Sequence, residues 1–341
     1  MASFFLIAGF FGRLILERRG TAGFIRNRLQ RILLPLVLGW PVFYPMIAFV
    51  TIWQARVRGA AEVSLWHATL SAFTSGKVFR EGFPLGDFWF LYYLLLMYAL
   101  VLCLQWIWGK WTAAVFKTVI ESWWGTICLA IPLTAILYRM PGSLGLRTPY
   151  GLAIDKSVVL AYLIFFLIGW FLFQQRDLLE ILERRAVRHA VLGIAAGTWP
   201  LALLALMAVA GEAPRSAVEE FSDNAAYGLA MVLMTFGFIG IFLRWMSVPR
   251  PAVRYLSDAA YWIYLAHYPL VRALQVALAP WHVQSSVKIP VIVLSSLAIL
   301  LVSYHFLVRY SWIGVMLSGP RDRRNRGGTG QMIPASATIA I

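Results

Sequence analysis

The chain is patterned as long apolar runs, each about long enough to cross a bilayer, separated by short basic connectors. A helix spans the hydrocarbon layer with about 20 mostly apolar residues. Ile32–Trp53, Phe88–Trp108, Ser122–Tyr138, Ser157–Gln175, Ala190–Gly211 and Ala225–Leu243 do so without a single charge. Ala259–Trp281 qualifies while carrying His267 and Arg272, and Ile289–Val308 qualifies with His305. Ala2–Leu16 is apolar but short, and Arg13 interrupts it. About nine spans follow, and with them an all-α, polytopic transmembrane helix bundle. A closed barrel is excluded because the runs are continuous and do not alternate.

Composition strengthens this reading. Of 341 residues 60% are hydrophobic and 13% charged, with a mean hydropathy of +0.72. A soluble domain is roughly 45–50% apolar and about 25% charged. A soluble enzyme, a disordered chain and a disulfide scaffold are thereby excluded. The net charge of +15 belongs to loops flanking the spans, where membrane proteins gather Lys and Arg, and no nucleic-acid partner is expected. If the first run passes from outside to inside, 20 of the 30 basic residues fall on the cytoplasmic loops. The acidic segment Glu212–Asp223 then lies outside and the C-terminus in the cytoplasm. Residues 1–318 form a membrane-embedded domain, and the basic, Gly-rich stretch 319–341 reads as a disordered tail. Cys103 and Cys128 lie in apolar runs and read as small core residues. The Gly193/Gly197 pair has a small-xxx-small spacing that suits helix packing.

Ionisable groups at membrane depth are costly, so each calls for a reason. Between Tyr255 and Pro269, Tyr261, Tyr264, His267 and Tyr268 fall on one helical face. His267 is the ninth residue from Ala259, about 13 Å into the span at 1.5 Å per residue. It reads either as a buried histidine satisfied by a neighbouring oxygen or as a base or ligand lining a cavity, where a neutral imidazole takes a hydroxyl proton. Arg28 and Arg31, three apart just before Ile32, read either as a positive-inside flank on anionic lipid or as a forked clamp for donor phosphates. Asp87 and Trp89, within Leu85–Tyr93, sit at the outer end of a span, as a solvated end charge and part of an interfacial belt. His67, His189, His282 and His305 show no metal-ligand spacing, and no nucleotide-binding motif is present.

These residues carry a resemblance. Phe4–Phe11, Arg28-x-x-Arg31 with Leu34-Pro35, Phe88–Leu91 and Ser257–Pro269 together resemble the membrane-bound acyltransferase 3 family. Val308–Gly314 and Ser318–Arg321 further resemble its glucan biosynthesis protein C branch. The resemblance implies a bundle of about ten helices in a bacterial inner membrane. It implies transfer of an acyl group, succinyl in that branch, from cytoplasmic acyl-CoA to a hydroxyl of a periplasmic or cell-surface glucan. Acyl-CoA would be a donor substrate, with no bound cofactor and no metal. Arg28 and Arg31 correspond to the family's donor-binding pair and His267 to its late helix histidine; Asp87 departs from the His that family members often carry before the Phe88–Leu91 motif, and with Trp89, Tyr261 and Tyr264 it is expected to line the substrate site. The family's first helix, with an Arg ten residues before a His, has no counterpart here, since no histidine precedes His67. A chain begun at an internal methionine, with little activity by itself, is the expectation. A transporter or flippase without covalent chemistry, or an inactive truncated relative, is the alternative.

The charge bias sets a topology that labelling can check. A cysteine probe near Glu219 should react with an impermeant reagent from the periplasm, and one near Arg185 should not. The reverse pattern would invert the orientation.

Overall fold

The computed structural model describes residues 1–59, 64–76, 83–105, 110–140, 145–210, 216–246, 248 and 250–318; the predicted tail 319–341 lies outside the described residues. Among the described residues every regular element is helical. In chain order they are α1 (Ala2–Arg28), a π-helical turn (Leu29–Leu33), α2 (Leu34–Val57), α3 (Leu65–Thr74), a 3-10 turn (Gly86–Phe88) and α4 (Trp89–Leu104). Next come α5 (Lys110–Glu121), α6 (Gly125–Tyr138), α7 (Lys156–Gln174), α8 (Asp177–Arg184), α9 (Ala186–Ala210) and α10 (Ala217–Met246). Last are α11 (Pro251–Ala277), α12 (Ser285–Ser303), a second π-helical turn (Tyr304–Val308) and α13 (Trp312–Ser318).

Six helical stretches among the described residues are long and apolar enough to cross a membrane, or seven if the bent pair Thr112–Glu121 and Gly125–Tyr138 is one span. With the bent pair taken as one span, the nine runs of the sequence differ from the count for two reasons. Ala2–Val57 counts as one 56-residue stretch, yet its backbone breaks at Gly20 (φ 64°, ψ 178°), a conformation that glycine adopts without Cβ strain. Helix α11, with its polar stripe, is not among the six. The first helix also runs further than Leu16, through Arg13 and Glu17, which pair at 2.7 Å, as far as the break. That internal pairing, with Arg13 lying over the Trp170 ring at 5.3 Å, explains how a charged turn continues the helix.

Large apolar side chains face outward along the spans: Ile131 is 63% exposed, Leu201 66% and Leu294 65%. Water would not tolerate a surface so continuously apolar, but lipid is its natural solvent. The same geometry corrects the reading of the two cysteines. Cys103 and Cys128 are free, as expected, but exposed. In a bilayer an apolar position can face lipid as readily as a core, so hydropathy alone could not place them.

The chain divides into two units. The first comprises Met1–Arg26 and Tyr92–Arg250. Its helices meet backbone to backbone at glycines: a Cβ on Gly9 would strike the Phe166 carbonyl, and one on Gly169 the Leu6 carbonyl. Helices α9 and α10 pack likewise, Gly193 against Met234 and Gly237 against Ala190, whereas Gly197 has only Ala230 Cβ nearby, at 3.8 Å. Close approach of this kind substitutes dispersion for the hydrophobic drive that lipid removes. Caps fix the ends. Asp155 accepts from the Ser157 and Val158 amides at the start of α7, and Ser216 and Glu219 form a reciprocal capping box before α10. The second unit comprises Asn27–Leu91 and the described residues from Pro251 on; α11 packs against α2 and α12, and α13 against the first π-helical turn.

Gly169→Leu should cost at least the roughly 1–3 kcal/mol of an overpacked core, because the obstructing atom is backbone. Gly197→Ala should be neutral or stabilising by up to about 1 kcal/mol. Thermal unfolding in detergent measures both; equal effects would refute the glycine-contact account.

Candidate active site

All seven residues singled out in the sequence fall in the second unit, and most of them converge on α11. His267 is held first by its own helix. Its Nδ1 lies 2.7 Å from the Tyr264 carbonyl oxygen. A carbonyl only accepts, so Nδ1 carries the hydrogen and donates it. In the neutral ring this tautomer leaves the lone pair at Nε2. That atom faces Asp87 Oδ2 at 3.8 Å, beyond direct hydrogen-bond reach. Oδ2 is buried and has no hydrogen-bond partner. Two acceptor atoms thus confront one another across a gap, and a hydroxyl seated there has one hydrogen to donate to one of them. The His267 side chain is 40% exposed, so the slot is open on the imidazole side.

Asp87 is placed by three devices. Gly86 turns the chain at φ 54°, in the region that favours glycine. Trp40 Nε1 donates to the Pro84 carbonyl at 2.7 Å and pins the approach to that turn. The Tyr264 hydroxyl donates to the Asp87 carbonyl at 2.6 Å. Tyr264 therefore holds both halves of the slot, its carbonyl fixing His267 and its hydroxyl fixing the Asp87 backbone. The neighbouring oxygen expected to satisfy the imidazole is the Tyr264 carbonyl. The Tyr264 ring is braced edge-on by Phe90 at 5.5 Å, a neighbour the sequence reading passed over. Trp89, one residue earlier, is 4% exposed and packs edge-on against Phe90, as part of the wall behind the tyrosine.

One turn along α11, the Tyr261 hydroxyl donates to the Arg31 carbonyl at 2.7 Å. The charges of both Arg31 and Arg28 reach this phenol. The two arginines were expected to share an α-helical face. Residues 29–33 instead form a π-helical turn, whose wider winding opens the angle between positions three apart. Arg31 Nη1 also donates to the Leu317 carbonyl at 3.1 Å, which ties the end of α13 to the site. Nothing in the spacing of Arg31 and Leu317, 286 positions apart, foretold that contact. The larger correction concerns position. The sequence placed Asp87 at an outer span end and the arginines at the opposite mouth. Tyr261 and Tyr264, three residues apart, touch Arg31 and Asp87 respectively, so both belong to one site. Tyr261 and His267 are six residues apart, about 9 Å along the helix axis. No group of three or more potential metal-binding His, Cys, Asp or Glu residues occurs among the described residues.

The arrangement brings an imidazole and a carboxylate together on one side of α11, with Arg31 one turn away. The family model described as an acyltransferase domain matches residues 1–308. No curated protein and no solved structure matches the chain. Spanning all the helices through the second π-helical turn, that match makes this polytopic membrane protein a member of the acyltransferase 3 family.

Proposed function

We propose that the protein is an O-acyltransferase that moves an acyl group from acyl-CoA to a carbohydrate hydroxyl. The observation that carries this reading is the slot between His267 Nε2 and Asp87 Oδ2. An acceptor hydroxyl seated there donates toward the imidazole lone pair. As its oxygen attacks the thioester carbonyl carbon, Nε2 takes the proton, the C–S bond breaks, and the CoA thiolate leaves, collecting a proton to become the free thiol. The Asp87 carboxylate, 3.8 Å away, stabilises the imidazolium formed in that step. The hydrogen bond from Nδ1 to the Tyr264 carbonyl keeps the ring in the tautomer that the step needs.

Arg28 and Arg31 supply the donor site in this scheme, their guanidinium groups meeting CoA phosphates. The approximately 9 Å between the rungs of Tyr261 and His267 lets one substrate reach from the phosphate anchor to the base. Tyr261 and Tyr264, with Trp89 behind, form an aromatic wall of the kind that receives sugar rings. A glucan acceptor at the outer face of an inner membrane and a succinyl donor are the finer reading, supported by the C-terminal motif Val308–Gly314 and by the basic bias of the loops. The C-terminus is then cytoplasmic, the bilayer is the third partner, and no metal or bound cofactor takes part.

The test is transfer of label from acyl-CoA to the glucan fraction, in membranes of cells that express the gene from its own locus. His267→Gln should lower kcat by roughly 10²–10⁴ while donor KM changes little. Arg28→Ala should raise donor KM about tenfold or more, the worth of a lost charge-assisted phosphate contact. Arg31→Ala should do the same and also loosen α13, because its guanidinium holds Leu317. Tyr264→Phe should lower kcat less than His267→Gln, since the carbonyl that orients the ring survives. Normal transfer by His267→Gln would overturn the proposal.

A further inference from the structure

The first unit contains a recess that the transfer chemistry does not use. It lies where α5 ends, α6 begins and α9 begins, a small recess open to the surface with free space for about one water-sized atom. Three features of this recess favour an anion. Arg185 closes the C-terminal end of α5: Nη1 donates to the Ile120 and Ser122 carbonyls at 3.3 and 3.2 Å, and Nη2 to Glu121 at 2.8 Å. A guanidinium has five N–H donors, so two remain after these bonds. The first turn of α6 has no side-chain cap; the Gly125 amide is spent on the Ser122 carbonyl, and the amides from Thr126 on, with the dipole, present partial positive charge. His189, 4% exposed, lines the same recess with its Nδ1 buried and lacking any hydrogen-bond partner. A buried polar atom left without a partner is uncommon and calls for an unrecorded one.

The surrounding charges sharpen the choice. Lys117 pairs with Asp177 and Glu121 at 3.0 and 3.7 Å, and Arg184 with Glu180 at 3.4 Å. Arg185 and Arg188, whose charges both reach His189, have no carboxylate partner among the described residues. The free space is narrow, so a phosphate would enter oxygen first and keep its ester arms at the mouth. Trp123 and Trp124 stand at the α5–α6 corner, 65% and 51% exposed, as tryptophans do at headgroup level. Exposed Ile127 and Ile131 on α6, and Val187 and Val191 on α9, give apolar outward surface on the two helices that begin at the recess. Helix α8 buries Leu178 and Leu182 and leaves its charges outward, as an interfacial helix does.

We propose that this recess binds the phosphate of an anionic phospholipid, with Arg185, the α6 amides and His189 around the phosphate and the acyl chains along α6 and α9. The full chain, purified in detergent, is incubated with phosphatidylglycerol or phosphatidylcholine, and retained lipid is read by native mass spectrometry. Phosphatidylglycerol should be retained over phosphatidylcholine. Arg188→Gln, an exposed substitution, should reduce that retention about fivefold, the worth of one cation near an anionic headgroup. His189→Phe should reduce it as well, and if that variant fails to fold, Arg188→Gln still decides. Equal retention of the two lipids, or unchanged retention in Arg188→Gln, would overturn the site. Thermal stabilisation by inorganic phosphate alone, equal to that by phosphatidylglycerol, would overturn the lipid assignment in favour of a free-anion site.

Discussion

A hydrogen bond inside one helix, from His267 Nδ1 to the Tyr264 carbonyl, is the constraint on which the second unit turns. It decides which imidazole nitrogen keeps a lone pair and where that lone pair points. In an apolar span such a group would be a liability unless its surroundings were equally fixed. The surroundings are supplied by the same turn of α11. Tyr264 reaches across to the Asp87 carbonyl and Tyr261 to the Arg31 carbonyl, so a single helix sets the spacing of imidazole, carboxylate and Arg31. Gly86 and Trp40 then leave the turn carrying Asp87 little freedom to drift.

The first unit solves a different problem. Lipid provides no hydrophobic drive to hold helices together, and its helices compensate by contact at glycines, where backbone meets backbone. Its polar investments lie at helix ends: Asp155 on α7, the Ser216–Glu219 box on α10 and Arg185 across the end of α5. Each satisfies amides or carbonyls that a bilayer would leave bare.

Much of this was legible in the chain. The apolar runs located the long helices, because hydrocarbon thickness fixes their length. The polar stripe on α11 was visible at helical spacing, and so were Asp87 and the arginine pair as individuals. Their convergence was not, because it rests on contacts across 177 and 230 positions that no local period encodes. The short amphipathic helices α5 and α8 fell between the runs. They are too short to span, so hydropathy had no length criterion with which to find them. The winding of residues 29–33 was likewise hidden, since a π-helical turn has no composition of its own. The two cysteines mark the converse limit, where an apolar sequence position corresponds to an outward-facing one.

The central claim is that the His267 imidazole itself accepts the hydroxyl proton. Chemical rescue tests it most directly. His267→Gly opens a space the size of the ring, and free imidazole added to membranes carrying this variant should restore label transfer in proportion to its concentration, with donor KM unchanged. A variant that inserts and binds acyl-CoA normally but gains nothing from imidazole would contradict the account, and would leave His267 as a packing residue of α11.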